Sequence, residues 1–122
     1  MLRILKEVFG GSGGAGHIAP REAVQLMDDG AAMIDVREPA EFAAGHIASA
    51  INVPLSALRQ NCALAIATAA PGISRKTILV ICRSGARSAV ACGLLKDSFQ
   101  NNPINVQGGM LAWQACGLAV SK

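Results

Sequence analysis

Aromatic side chains are nearly missing from this chain: three phenylalanines, one tryptophan and no tyrosine in 122 residues. Any core must therefore be built from Ile, Leu, Val and Ala, and a nucleic-acid surface of aromatics interleaved with a dense basic run is excluded. No apolar run approaches the ~20 residues that span a bilayer. The opening Met1-to-Phe9 stretch has charges inside its apolar residues and no small-residue cleavage site, so it makes a poor secretory signal. The expected location is the cytoplasm. Cys-x-x-Cys pairs are absent as well. Cys62, Cys82, Cys92 and Cys116 offer no local ligand pair for structural zinc, and a disulfide framework is not expected in a cytoplasmic domain of this size.

Acid is scarce in one half. Residues 1–72 hold five basic and seven acidic side chains, whereas residues 73–122 hold six basic and one acidic. The positive half contains Cys82, so an anionic substrate would be drawn there. At this length the chain holds one domain with a real core. Residues 1–9 could form a short amphipathic helix, with Leu2, Leu5 and Phe9 on one side, too short to be stable alone. Gly10 to Gly16 reads as a flexible linker. It also spells Gly11-x-Gly13-x-x-Gly16, but no strand precedes it and Pro20 follows too soon for a dinucleotide fingerprint. The division expected is therefore 1–16 as terminal segment and Gly-rich linker, and 17–122 as the domain.

Within that domain strands and helices alternate. Strands are expected near His17–Ala19, Ala31–Ile34, Ala50–Val53, Thr77–Ile81 and Ile104–Val106. Helices are expected from Pro20 to Met27, Pro39 to Ala44, Pro54 to Ala70, Arg87 onward and Gly109 to Ala115. This is the pattern of an α/β fold, a parallel sheet covered on both faces. The helix after Cys82 shows apolar Val90, Leu94 and Leu95 at helical spacing.

The stretch Lys76 to Asp97 carries the chemistry. An apolar strand ends at Cys82, a turn of Arg83, Ser84, Gly85 and Ala86 follows, and a helix starts at Arg87. In open α/β sheets that edge is where ligands bind. The first turn of a helix has unpartnered N–H groups and partial positive charge, which a loop around Cys82 would aim at its sulfur. Arg83 and Arg87 add two full charges, with no carboxylate between Lys76 and Ser88. Such surroundings lower a thiol from about 8.5 to roughly 3.5–7.5, so Cys82 is expected to be an ionised, reachable nucleophile. The plainer alternative is a small apolar residue closing a core strand. Cys62 and Cys92 lie among Ala and Leu and are expected inside, although Cys92 could resolve an oxidised Cys82.

Taken in order, Asp35-Val-Arg37, Glu41-Phe42, Gly45-His46-Ile47, Ala50-Ile-Asn-Val-Pro54, Cys82-Arg-Ser-Gly85-Ala-Arg87-Ser88 and Gly108-Gly109…Trp113 resemble a single-domain rhodanese. The resemblance runs from about Ile18 to the C-terminus. It implies a five-stranded, mostly parallel sheet with helices on both faces and a sulfurtransferase whose Cys82 cycles through a persulfide. It implies further that Arg83, Ser84, Gly85, Ala86, Arg87 and Ser88 line the pocket. The donor would be a small anion such as thiosulfate, and the acceptor a thiol, a dithiol, cyanide or a sulfur-relay protein. No metal or organic cofactor is implied.

Roles within the set follow from residue type. Arg83 and Arg87 would hold the anion, unless Arg87 instead bonds backbone carbonyls at the helix start. Ser88 either hydrogen-bonds the sulfur or caps the helix. Asp35, Arg37, Glu41 and His46 are expected to support the loop edges, with Arg37 and Glu41 at the spacing of a helical ion pair. His46 is expected to bond locally, since an ionised thiol needs no base. Trp113 reads as core, or as one wall of the pocket. Cell-cycle-type phosphatases of the same fold resemble a Cys followed by five residues and an Arg, whereas only four separate Cys82 from Arg87 here. No Asp stands near the loop as general acid either. An arsenate reductase would meet the same short loop and rely on Cys92. The retained Cys82 counts against a pure binding module, although a sulfur-relay protein could be both enzyme and binder.

Overall fold

The computed structural model describes residues 16–122. The expected helix of residues 1–9 and nearly all of the linker fall outside the described residues. Five strands form one sheet: β1 (Gly16–Ile18), β2 (Ala32–Asp35), β3 (Ile51–Asn52), β4 (Ile78–Ile81) and β5 (Ile104–Val106). Their order is β1-β5-β4-β2-β3, and every pairing is parallel, not merely most. β1 begins one residue before the expected domain boundary, because Gly16 pairs with Ile104 as part of an edge strand. The helices are α1 (Pro20–Asp28), α2 (Pro39–Ala44), α3 (Leu55–Ala69), α4 (Ala86–Phe99) and α5 (Gly109–Ala115), with a 3-10 turn at Ile73–Arg75. Among the described residues no helix is long and apolar enough to cross a membrane.

The two-residue period of a strand divides the core. Ile34, Val36, Ile78 and Val80 face α3 and α4, meeting Leu58, Ile66, Ala91 and Leu95. Met33, Leu79, Ile81, Ile104 and Val106 face the other way, toward Leu26 of α1 and Met110 and Trp113 of α5. All four residues of β4 are buried, as a continuous apolar run in the middle of a parallel sheet must be.

α4 differs from expectation in one respect. Val90 is exposed, and the buried stripe is Ser88, Ala91, Cys92 and Leu95. That stripe follows the i, i+3, i+4, i+7 rule, with small Ser88, Ala91 and Cys92 ahead of Leu95. Hydropathy pointed at Val90; the helical face turned to the core carries Ala91 and Cys92.

Candidate active site

β4 stands at the centre of the sheet, with β5 on one side and β2 on the other. The chain leaves β4 toward β5 on one side and leaves the neighbouring β2 toward β3 on the other, so the crevice past their C-terminal ends is where an α/β sheet accepts ligands. Cys82 occupies that point. Its carbonyl and that of Arg83 are turned toward α5, accepting from the amides of Met110 (2.8 Å) and Leu111 (3.1 Å). This close approach needs Gly109, whose φ is +59°. A Cβ there would lie 2.5 Å from both carbonyl oxygens.

With the carbonyls facing α5, the loop amides turn inward. The Gly85 amide donates to Cys82 Sγ at 3.1 Å, and Ser88 Oγ lies 3.3 Å from the same sulfur. Gly85 makes the curl possible at φ +117°, a conformation only glycine adopts without strain. Burial alone would raise the Cys82 thiol. Hydrogen bonds from the Ser88 hydroxyl and from the amides of Ser88, Gly85 and Ser84 outweigh it, and the net shift is downward. Donors, not the expected arginine charges, lead the acidification.

The expectation of a reachable sulfur meets a tight enclosure, for Cys82 is only 1% exposed. A cavity of about 310 Å³ lies beside the loop, lined by Arg37, Glu41, Gly45, Arg83, Met110 and Gln114, without reaching Cys82. A larger one of about 440 Å³, between Val24, Met27, Ile47, Trp113 and Leu118, lies on the α1–α5 face of the sheet. Trp113 is therefore core and a cavity wall, but not a wall of the Cys82 loop; its indole N–H donates to the Ala119 carbonyl at 3.0 Å.

Arg83, Ser84 and Ala86 are exposed on the rim. Arg87 is not free. Its guanidinium makes a two-pronged pair with Glu41 of α2, at 2.7 and 3.0 Å, and bonds none of the carbonyls considered for it. Arg87 holds the Glu41 carboxyl down to about 2. Glu41 also accepts the Glu38 amide at 3.0 Å, closing the first turn of α2.

The expected Arg37–Glu41 ion pair does not form. Arg37 precedes α2, and its charge goes to Asp35, which it meets through Nη2 (2.8 Å), Nε and its own amide. Both residues are buried. Arg37 also donates to the Gly45 carbonyl at 2.7 Å, stapling the end of α2 to the end of β2. His46 bonds locally, Nδ1 to the Phe42 carbonyl at 2.6 Å, with the two rings stacked 3.8 Å apart. Cys92 is fully buried, and desolvation pushes its thiol up to about 12.

One residue of the site belongs to no motif in the sequence. Asn105 of β5 accepts from Ser88 Oγ at 2.6 Å and donates to the Gly85 carbonyl at 3.1 Å. The signal was a polar residue between Ile104 and Val106 on a strand. Alternation turns those two toward α5 and puts Asn105 on the Cys82 side.

Among known proteins, a model of the rhodanese-like domain family matches residues 19–116. Protein slr1261 of Synechocystis is 36% identical over 106 residues, which cover 86% of this chain and 55% of that protein. A sulfurtransferase of Allochromatium vinosum is 33% identical over 89 residues, covering 72% of this chain and 76% of its own. A rhodanese-related protein of Thermoplasma volcanium has a crystal structure that superposes with a TM-score of 0.72 at 31% identity, covering 86% and 96% of the two chains. The chain spans about half, or less, of the length of the first curated relatives it matches.

Proposed function

The chain belongs to the rhodanese-like domain family, and from that premise we propose that it is a sulfurtransferase. Its Cys82 would take a sulfane sulfur from an anionic donor such as thiosulfate and pass it to a thiophilic acceptor. The observation that carries this reading is the ring of donors on Cys82 Sγ, from the Gly85 amide and the Ser88 hydroxyl. They stabilise a thiolate without a base, and the four-residue loop leaves room for little beyond one added sulfur.

In the first step the Cys82 thiolate attacks the outer sulfur of thiosulfate. A bond forms between Sγ and that sulfur, the S–S bond of thiosulfate breaks, and sulfite leaves with the electron pair. The persulfide keeps one negative charge on its outer sulfur, where the loop amides face it. In the second step cyanide or a thiolate attacks that outer sulfur and the electron pair returns to Sγ. Arg83, exposed on the rim, attracts the dianion. Arg87 serves chiefly to hold the loop to α2 through Glu41. A cytoplasmic setting, with a cellular thiol, dithiol or sulfur-relay protein as acceptor, suits four cysteines that are all free.

Incubation with thiosulfate followed by intact-mass measurement tests the reading. A gain of one sulfur atom, absent in Cys82→Ala, is expected. An unchanged mass together with hydrolysis of p-nitrophenyl phosphate would replace sulfur transfer by phosphatase chemistry. Neither activity would leave only a binding module.

A further inference from the structure

The Ser88 hydroxyl has one proton to give and three acceptors within reach. Asn105 Oδ1 lies 2.6 Å away, the Gly85 carbonyl 3.1 Å and Cys82 Sγ 3.3 Å. A hydroxyl donates once, so these bonds cannot all exist together. Asn105 is oriented by chemistry, because its Nδ2 donates to the Gly85 carbonyl at 3.1 Å, and reversing the amide would set two acceptors face to face. Its Oδ1 is thereby aimed at Ser88. We propose that Asn105 is a positioning residue of the Cys82 site, competing with the thiolate for the Ser88 proton and holding that proton whenever Sγ is uncharged.

The charge on Sγ decides the competition. With a neutral thiol the short bond to Asn105 is the better one, since sulfur is a weak acceptor. Once Sγ is ionised it becomes the stronger acceptor, and a small rotation about the Ser88 Cα–Cβ bond moves the hydrogen bond to it. When the outer sulfur is added, the charge moves off Sγ and the Ser88 proton returns to Asn105. The hydroxyl thus has two resting places, one for each charge state of the nucleophile.

Without Asn105 the strongest rival for the proton is gone and only the Gly85 carbonyl at 3.1 Å still competes with the sulfur, so the thiol would be more acidic and its thiolate a weaker nucleophile. The remaining titratable and charged groups around Cys82 are Arg83, Arg87 with its partner Glu41, the Asp35–Arg37 pair at the end of β2, and the Cys92 thiol on α4. None of these is bonded to Ser88 or Asn105. β5 and α5 bring no charged side chain.

The role during turnover rests on the sulfurtransferase reading; the competition itself does not. The test is the thiolate absorbance of the full chain as a function of pH, taken as a difference from Cys82→Ala. Asn105→Leu is expected to lower the Cys82 midpoint by about half to one pH unit, the worth of one hydrogen bond. Asn105→Ala should move it the same way if the leucine does not fold. Ser88→Ala should raise it, and in that background Asn105→Leu should produce no further shift. A midpoint that rises or stays put in the Asn105 variants overturns the proposal. So does an Asn105 effect that persists without the Ser88 hydroxyl, which would mark a purely structural strut. A wild-type protein that takes up no sulfur would refute the sulfurtransferase reading, yet these midpoints would still judge Asn105.

Discussion

Cys82 and Cys92 are both sealed from solvent, at 1% and 0% exposure, yet their thiols shift in opposite directions. Cys82 precedes α4, where amides have no helical acceptors and turn to the sulfur. Cys92 lies two turns into the same helix, where every neighbouring amide is already bonded to the carbonyl four residues back. Desolvation acts on both. Only Cys82 has donors to set against it, the Gly85 amide at 3.1 Å and the Ser88 hydroxyl at 3.3 Å. Thiol acidity in this molecule is decided by hydrogen bonding at a helix start, and burial by itself only raises a thiol.

The harshest way to break this contrast is to unseat the loop. Gly109→Ala would drive a Cβ to 2.5 Å from the carbonyls of Cys82 and Arg83, at a φ of +59°. Conformational strain and overpacking together should cost about 2–4 kcal/mol. For a domain of this size that lowers the melting temperature by roughly 10 °C or more. Sulfur uptake from thiosulfate should fall with it, because the Met110 and Leu111 amides would no longer hold the loop carbonyls outward. A variant with normal melting and uptake would show that α5 does not set the curl.

A milder change sharpens the contrast from the other side. Cys92→Ala removes one buried sulfur from the α3–α4 face of the core, at roughly 1–1.5 kcal/mol by analogy with losing one core methylene. Denaturant melts should register that loss. Intact mass after thiosulfate should still show one added sulfur, since a thiol held near 12 supplies almost no thiolate at neutral pH. A persulfide that accumulates in Cys92→Ala but not in the wild-type chain would instead give Cys92 the resolving role, its thiolate bonding to Cys82 Sγ while the outer sulfur leaves as hydrosulfide.

How far the sequence carried these conclusions depends on the range of each interaction. The β4 strand, the turn at Gly85 and the helix after it are local patterns, legible from Thr77 to Arg87 in one pass. The five-strand alternation was legible for the same reason. Contacts between distant segments were not. Arg87 lies 46 residues from Glu41, and nothing in either stretch announces their pairing. The four-residue spacing pointed Arg37 at Glu41, but spacing implies contact only inside a helix, and Arg37 stands outside one, folded onto Asp35. Asn105 was hidden because its meaning comes from β5 lying beside β4, with Asn105 opposite Val80. Val90 misled because the buried stripe runs through Ser88, Ala91, Cys92 and Leu95, and its place in the helical turn puts it on the solvent side whatever its hydropathy.

The smallest effect concerns the charge that Cys82 does not command. Glu41 holds Arg87, and both side chains are about one-third exposed, at 34% each, so screening keeps the pair's stabilisation below about 1 kcal/mol. Because the native carboxyl sits at about 2, below its ordinary 4.5, the folded state binds fewer protons than the unfolded chain. The pair's contribution is therefore complete above pH 4.5 and is lost as pH falls toward 2. Glu41→Gln should lower stability slightly at pH 7 and not at all near pH 2, as urea melts at the two values would show. The same substitution releases Arg87, whose attraction to the Cys82 thiolate is already present though secondary to Glu41. The Cys82 midpoint should then drop by a few tenths of a pH unit, less than the shift expected for Asn105→Leu. A larger drop would mean that a guanidinium, held in check by α2, matters more to this thiol than the hydroxyl and amides that touch it.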